Sequence, residues 1–236
     1  MTCLHHFENC FSTNDEILSV LNEDESTAVF TFNQTKGRGQ YGNIWKVIPN
    51  QNLAYSFALK TSKVNITDTF LNYYTAIIVR DFLANLTNAN AKIKWPNDII
   101  LNGKKVCGIL IEKKKIDNTE FYIIGIGINI LQSDFSNLPK AGSVLSATGL
   151  SFDLMEFAHQ FHQYLISKIQ DINPEEEILN IYNQSLFRKD EISVFQKNDL
   201  RQNGIIKNAD NDGFLWIDLE NEGLRKFFHK EIEMLY

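Results

Sequence analysis

A series of β-like runs separated by tight turns, in the middle of the chain, restricts the fold more than any other feature. The first run, at 92–101, is predicted to be a strand that is broken by Pro-Asn-Asp at 96–98 and resumes immediately, because proline lacks a ladder donor and Asn-Asp favours a turn. Asn102-Gly103 is a strong hairpin signal, and 105–112 returns as the next strand. The run at 121–130 is nearly all apolar, which indicates burial on both faces, and its two glycines indicate that something approaches its backbone closely. Successive hairpins predict a largely antiparallel sheet.

Helical periodicity occurs on both sides of these strands. Thr13 and Glu16 have the spacing of a capping box for a short helix that ends near Leu21. Apolar residues recur at helical spacing from Thr67 to Leu86, which predicts a long core helix. Two more helices are expected, one at 153–170 and one that starts at Asn173-Pro174.

The sequence pattern changes after Arg188, where short β runs alternate with turns such as Asp210 to Gly213. About fifty residues of this kind suit a small β-barrel of SH3-like size. The sequence therefore predicts an α+β protein. A first domain at 1–187 has helices packed on a largely antiparallel mixed sheet, and a C-terminal SH3-like β domain occupies 188–236.

Composition excludes several classes of protein. The 236 residues carry a formal net charge of −6, which argues against a general nucleic-acid binder. No apolar run is long enough to span a bilayer and no secretory signal is present, so we expect a cytoplasmic protein without a membrane partner. The three cysteines lack metal-binding or disulfide spacing. His159 and His162 fit a helix surface better than a metal site.

Three glycines and two cations lie between Gln34 and Trp45. Gly37, Gly39 and Gly42 satisfy the G-x-G-x-x-G pattern of dinucleotide-binding turns and of kinase glycine-rich loops. The dinucleotide interpretation fails because no helix follows the third glycine. The kinase interpretation fails because no His-Arg-Asp or Asp-Phe-Gly triplet follows. The stretch is therefore predicted to be a mobile strand-exit loop that handles an anion.

Three motifs occur together, and a short fourth one precedes them. They are Gln34 to Trp45, Lys94-Trp-Pro-Asn-Asp98, Gly125-Ile-Gly-Ile-Asn129 and, near the start, Ser12-Thr13-Asn14. In order, spacing and content the chain resembles the biotin protein ligases, also called holocarboxylase synthetases. The resemblance implies a class II synthetase-like domain of the biotin/lipoate ligase type. It also implies that biotin and ATP give biotinyl-5′-AMP and pyrophosphate, after which biotin passes to a carrier lysine.

The resemblance also implies the roles of individual residues. Lys94 and Arg38 are expected to be catalytic, with Lys94 at the reacting carboxyl and the α-phosphate. Residues implied for biotin are Ser12, Thr13, Asn14, Gln34, Gly39, Gln40, Trp45, Gly108 and Ile109. Residues implied for ATP are Arg38, Lys94, Trp95 and Asn129. Mg²⁺ is expected with ATP, and its ligands are not assigned.

The implied partner is the biotin carboxyl carrier protein, or carrier domain, of acetyl-CoA carboxylase or a related carboxylase. A homodimer formed through an exposed sheet edge is a further implication. Some family members begin with a DNA-binding domain that represses genes. Because this chain starts almost at Ser12, we expect a ligase without repressor function and without a nucleic-acid partner.

The chain departs from the family pattern at four positions. Gln40 stands where the family often has a second arginine, Asn43 replaces a frequent basic residue, Phe11 stands where an aspartate is common, and Lys36 stands where a small residue is usual. Lys36 is predicted to supply part of the charge missing at residue 40. The alternatives to a biotin protein ligase are a lipoate or octanoate ligase, a non-catalytic binding module of the same fold, and a nucleotide-dependent regulator. Lipoate has no ureido ring, so Gln34 and the Ser12-Thr13 pair favour biotin. The glycine loop is predicted to be poorly ordered when empty and to close over biotinyl-AMP.

Overall fold

The structure, a computed structural model, describes residues 2–22 and 26–236. The strands are β1 Thr2–His6, β2 Ser26–Thr31, β3 Gly37–Arg38, β4 Ile44–Trp45, β5 Asn52–Lys60, β6 Ala91–Lys94, β7 Asp98–Leu101, β8 Lys104–Ile116, β9 Thr119–Asn129, β10 Ile192–Lys197, β11 Leu200–Ala209, β12 Leu215–Leu219, β13 Gly223–Phe227 and β14 Glu233–Leu235. The helices are α1 Thr13–Val20, α2 Asp68–Thr87, α3 Val144–Thr148, α4 Leu154–Ile169 and α5 Glu175–Gln184.

A seven-stranded mixed sheet forms the centre of the molecule, in the order β1-β2-β5-β9-β8-β7-β6. Only the pairing of β1 with β2 is parallel among these described strands, and the others are antiparallel. Asn102 and Gly103 take positive φ angles of 47° and 81° in the turn that joins β7 to β8. The predicted α+β class and the largely antiparallel sheet are confirmed.

Helices cover both faces of this sheet. Buried side chains of α2 and α4 pack on one face, where Phe82 makes edge-on contacts with Phe157 and Phe161 at ring-centroid distances of 5.4 and 5.2 Å. The short helix α1 covers the other face, where Ile17 packs against Val29 and strands β5 and β9. Each such side chain, once fully buried, contributes about 1.5–3 kcal/mol to stability.

The C-terminal strands form a second, five-stranded antiparallel sheet in the order β13-β12-β11-β10-β14. Here the expectation of a closed SH3-like barrel is corrected, because β13 and β14 are the free edges of an open sheet among the described strands. One cluster of buried side chains runs through both parts of the molecule, and it includes Phe57 of β5 as well as Phe195 and Ile217 of the second sheet. The division between residues 187 and 188 stays a prediction.

Three local predictions need correction. The run at 92–101 is not one resumed strand, because β6 and β7 pair antiparallel and Lys94 lies opposite Asp98. Thr13 makes no capping box, since Ser12 is the N-cap residue and makes no side-chain cap hydrogen bond. The side chain of Thr13 hydrogen-bonds with Gln34 instead. Finally, Pro174 is itself the N-cap of α5.

Candidate active site

A stripe of small residues on the α1 face of the central sheet creates the space for a site. Ala54 lies opposite Gly127, and Ser56 lies opposite Gly125. Gly108 of β8 lies opposite Gly127 on its other side. Residues directly opposite each other in antiparallel strands share a face, so these five positions form one patch without large side chains. The sheet therefore has a shallow depression under α1 and the glycine loop.

Polar side chains close one end of this depression. Gln34 Oε1 accepts hydrogen bonds from the backbone N of Thr13 at 2.8 Å and from its Oγ1 at 3.2 Å. Ser56 Oγ donates to Asn14 Oδ1 at 2.6 Å and lies 2.8 Å from Thr13 Oγ1. Asn14 Nδ2 donates to Glu112 Oε2 at 2.8 Å. The side chains at this end therefore hold one another in fixed positions, which favours specific recognition of a polar group.

The glycine loop forms a small hairpin over the depression, in which β3 pairs with β4. A Cβ atom built at Gly127 would lie 2.5 Å from Trp45 Cε2, and one built at Gly108 would lie 3.2 Å from Trp45 Cζ3. The indole therefore needs a glycine at 127. Trp45 Nε1 is buried and has no hydrogen-bond partner within the described ranges 2–22 and 26–236.

Arg38 connects the glycine loop to α1. Its Nη2 donates to Asp15 Oδ1 at 2.9 Å, its Nη1 donates to Asp15 Oδ2, and Glu112 Oε2 lies 3.4 Å from Nη2. The Arg38 hydrogen bonds hold the pKa of Asp15 below its ordinary value. The Asp15 hydrogen bonds in turn raise the pKa of Arg38. The predicted anion clamp is thus engaged with two carboxylates.

Side chains of the loop, α1 and the sheet enclose what we call the first cavity, of about 150 Å³. All of the residues implied for biotin line it, together with Arg38: Ser12, Thr13, Asn14, Gln34, Arg38, Gly39, Gln40, Trp45, Gly108 and Ile109. The first cavity therefore combines a polar end, a glycine floor and an arginine wall. Lys36 does not belong to this lining, and its Nζ lies 4.2 Å from the ring centroid of Phe11.

Lys94 and Trp95 lie elsewhere. They line a neighbouring space of about 580 Å³, the lysine cavity, which shares Asn43 and His229 with the first cavity. Burial lowers the pKa of Lys94, and Asp98 opposes this effect. Lys94 Nζ lies 5.8 Å from the ring centroid of Tyr236. The structure thus does not place Lys94 with the residues implied for biotin.

Asn129 lies at the end of β9 and lines the largest space described, the wide cavity, of about 880 Å³. Its Nδ2 donates to the Gly142 carbonyl at 3.0 Å, so its amide also supports a neighbouring loop. The wide cavity and the first cavity share Ile44, Trp45 and Lys105. The two cavities therefore meet at Lys105 and the indole of Trp45.

Several residues of the site, such as Ser56 and Glu112, lie outside the sequence motifs, and two others, Lys105 and His229, line more than one cavity. Lys105 Nζ forms an ion pair with Asp98 Oδ1 at 2.7 Å and lies 5.9 Å from the ring centroid of Trp45. His229, from the segment between β13 and β14, lines both the first cavity and the lysine cavity. Neither residue carries a local signal, since a lysine after a hairpin turn and a histidine in a C-terminal loop are ordinary surface residues.

The described part of the chain has no group of three or more His, Cys, Asp or Glu residues that could hold a metal ion. Asp98, a carboxylate between the lysines, is ion-paired with Lys105. The described residues therefore supply no cluster of three or more such side chains, whereas magnesium beside substrate phosphates commonly needs only one or two carboxylates. No helix within the described residues has the length and apolarity needed to cross a membrane.

Comparison with known proteins places these features in a family. A sequence model of the biotin/lipoate A/B protein ligase family matches residues 9–129, which is about half of the chain. The chain is 28% identical over 228 residues to the bifunctional ligase/repressor BirA of Bacillus subtilis, and the match covers 90% of this chain and 67% of that protein. It is 32% identical over 155 residues to a biotin–(acetyl-CoA-carboxylase) ligase of Paracoccus denitrificans, covering 62% of this chain and 64% of that one.

Solved structures agree in fold. The biotin protein ligase of Aquifex aeolicus in complex with biotin and ATP superposes with a TM-score of 0.79 at 22% identity, covering 99% of this chain and 98% of that chain. A biotin acetyl coenzyme A carboxylase synthetase of Helicobacter pylori with bound biotinylated ATP gives a TM-score of 0.65 at 19% identity, covering 94% and 100%. Because the identities are only 22% and 19%, these two matches show a shared fold and nothing more.

Proposed function

The chain belongs to the biotin/lipoate A/B protein ligase family, and from this premise we propose that it is an ATP-dependent biotin protein ligase. The family match confirms the resemblance carried by the sequence motifs. In the proposed reaction, a biotin carboxylate oxygen attacks the α-phosphorus of ATP and pyrophosphate leaves. The amine of a carrier lysine then attacks the acyl carbon of biotinyl-5′-AMP, and AMP leaves.

The observation that supports biotin as the substrate is the polar end of the first cavity. A ureido ring offers two N–H donors and one carbonyl acceptor in a plane, and it needs fixed partners of both kinds. Thr13, Asn14 and Gln34 supply amide and hydroxyl groups that are held by hydrogen bonds. Thr13 and Asn14 are also buried, so a ring without polar atoms would offer no partner to the hydrogen-bonding capacity that their contacts within the protein leave unused.

The polar end of the first cavity also favours biotin over lipoate and octanoate. Lipoate and octanoate have acyl chains without donors or acceptors at their far end, so they gain nothing from Gln34 and Thr13. A site whose polar groups are placed to hydrogen-bond the substrate discriminates against an analogue that has no hydrogen-bonding groups at that position. We therefore propose biotin as the substrate, ahead of lipoate or octanoate.

The junction of the first cavity with the wide cavity suits adenylation. With biotin in the first cavity and ATP in the wide cavity, the carboxylate and the α-phosphate would meet beside Lys105 and Trp45. Charge that develops on the phosphate oxygens is stabilised by preorganised cations. Lys105 is one such cation, and Lys94, which lines the neighbouring lysine cavity, is proposed as the second.

The glycine loop serves in this proposal as a lid. Arg38 and the indole of Trp45 hold it over the depression, so that water is excluded from the reactive mixed anhydride. Binding of biotin and ATP is expected to protect the loop. Trypsin cleavage after Arg38 should therefore slow severalfold when both are present.

Several further statements stay predictions. The name of the Paracoccus relative supports a carboxylase carrier as the partner of this chain. Mg²⁺ is expected to arrive with the ATP phosphates, as it does in many nucleotide sites. A homodimer, a cytoplasmic location and the lack of a repressor role also remain predictions.

A labelling experiment tests the proposed function. The protein is incubated with ATP, radiolabelled biotin or radiolabelled lipoate, and an apo biotin carboxyl carrier domain, and label on the carrier is measured. We expect transfer of biotin alone and its loss in Lys94→Ala, while Lys92→Ala, on the same strand, serves as the matched control. Transfer of lipoate would support the lipoate ligase. Biotin binding without transfer would support a non-catalytic module.

A further inference from the structure

His229 lies where three cavities meet. It lines the first cavity and the lysine cavity, and it also lines a third space of about 330 Å³ that we call the acidic cavity. Its ring contacts Tyr41, at the tip of the glycine loop, with a centroid distance of 4.9 Å. It meets Trp95 edge-on at 5.7 Å. The imidazole is thus held between the loop and the floor of the site.

The two sides of His229 suit ligands of opposite charge. The first cavity carries two cations, Arg38 and Lys105, which are ion-paired with Asp15 and Asp98, and an anion such as an acyl adenylate would replace these carboxylates as their partner. The acidic cavity carries two carboxylates, Asp68 and Asp212, and one cation, Lys113, which is ion-paired with Asp68, so that Asp212 leaves a net negative charge suited to an ammonium group. An anionic intermediate on one side and a lysine side chain on the other would meet at the imidazole.

The imidazole has a free nitrogen. Its Nδ1 is buried and has no hydrogen-bond partner in the part of the chain that the structure describes. Burial lowers the pKa of His229, as do the nearby cations Lys94, Lys230 and Lys105, and Asp98 opposes them. The ring is therefore neutral at neutral pH, and one nitrogen can accept a proton.

The transfer step needs such an acceptor. A lysine with its ordinary pKa of about 10.4 is almost entirely an ammonium ion at neutral pH, and an ammonium ion is not a nucleophile. A positioned base that takes the proton accelerates such a step by about 10²–10⁴.

We propose that His229 is the general base of the transfer half-reaction and that the acceptor lysine approaches it through the acidic cavity. This role rests on the proposed function. The ammonium group gives one proton to His229, which passes it to solvent, and the resulting amine nitrogen forms a bond to the acyl carbon. The bond from that carbon to the phosphate oxygen breaks and AMP leaves with the electron pair. The second proton that the attacking nitrogen loses goes to the departing phosphate or to solvent.

The test separates the two half-reactions in the full-length protein. Adenylate formation is measured as biotin-dependent pyrophosphate release, and transfer is measured from preformed enzyme-bound biotinyl-AMP to an apo biotin carboxyl carrier domain. Two variants are used: His229→Phe keeps a ring against Tyr41 and Trp95, and His229→Gln keeps a polar side chain. His159→Gln, which changes an exposed histidine on α4, is the matched control.

We expect both His229 variants to slow transfer about 10²–10⁴-fold more than adenylate formation, whereas the control slows neither. The loss should shrink at high pH, where the acceptor lysine deprotonates by itself. It should also disappear with hydroxylamine as the acceptor, because hydroxylamine is already uncharged at neutral pH. If His229 only packed against Tyr41, neither high pH nor hydroxylamine would restore transfer in the variants.

Two results overturn the role of His229 while the proposed function stands. One is transfer at the control rate in both variants. The other is an equal loss in both half-reactions that neither high pH nor hydroxylamine restores. Absence of biotin-dependent pyrophosphate release from the unchanged protein is a different failure, because it overturns the proposed function and the role of His229 with it.

Discussion

The indole of Trp45 lies so close to the backbone of Gly127 that a Cβ atom there would be 2.5 Å from Trp45 Cε2. The glycine loop and the central sheet are therefore in contact through a surface that tolerates no side chain. Asn14 and Gly125 show the same relationship, since a Cβ at Gly125 would clash with Asn14 Oδ1. Both glycines belong to β9 and both neighbours line the first cavity. The shape of the candidate site depends on these two close approaches.

Gly127→Ala is expected to displace Trp45 and to weaken biotin binding about tenfold or more, because overpacking of this kind costs about 1–3 kcal/mol. Titration calorimetry with biotin measures the effect. The control is the same substitution in a Trp45→Ala background, where the added methyl group has space and should cost much less. Equal losses in the two backgrounds would show that the two residues are not coupled.

The close approach to β9 was predictable from the sequence, but the neighbour was not. Glycines at 125 and 127 in an otherwise apolar strand indicate that something lies against the backbone. That Trp45 and Asn14 are these neighbours follows from contacts across more than 80 and 110 positions of sequence, which local patterns do not encode.

Asp15→Asn is expected to loosen the glycine loop, because Arg38 loses a two-point ion pair and keeps its charge. Trypsin should cleave the ligand-free variant after Arg38 several times faster than the unchanged protein. Biotinyl-AMP should also hydrolyse faster on the enzyme. Asp117→Asn, in a turn remote from the loop, is the matched control. Cleavage at the same rate in Asp15→Asn and the control would mean that the ion pair does not restrain the loop.

Lys105→Ala and Lys94→Ala are both expected to slow adenylate formation by about 10²–10³, as loss of a preorganised charge partner does. Affinity for biotin should change little, since both ammonium groups act on the reacting centre and not on the polar end of the first cavity. Pyrophosphate release at saturating biotin measures the rate, and calorimetry measures the affinity. If Lys105→Ala behaves like Lys92→Ala, the junction of the two cavities is not where the phosphate lies.

Stability is expected to fall on acidification through His162. Burial lowers its pKa, and its Nδ1 lies 2.8 Å from the hydroxyl of Tyr55. Below the unfolded pKa of about 6.5 the unfolded chain binds a proton that the folded chain does not, so folding is disfavoured as pH falls. The contribution of neutral His162 to the free energy of unfolding is fully present above that pH.

Thermal unfolding at pH ~7.5 and ~5.5 measures this effect. The decrease in melting temperature should be smaller in His162→Gln than in the unchanged protein. His5→Gln, on β1, is the control and should keep the full decrease. A full decrease in His162→Gln would assign the acid sensitivity to other groups.

The elements of the fold were largely predictable, and most of the polar end of the candidate site was indicated by motifs. Strands with strong hairpin signals, such as the turn at Asn102-Gly103, and the periodic helix α2 occur where the sequence predicts them. The open edge of the second sheet was not predictable, because β14 has only three residues and forms by pairing with β10. The positions of Lys94 and His229 depend on how β6 and the second sheet meet, which is a tertiary relationship.

Exchange of labelled pyrophosphate into ATP tests the central claim most directly, because it reports activation of the acid without any carrier. The proposed function predicts exchange that depends on biotin, that is absent with lipoate or octanoate, and that falls when Gln34 is replaced by leucine. Exchange driven by lipoate, or no exchange with biotin at any concentration, would contradict it.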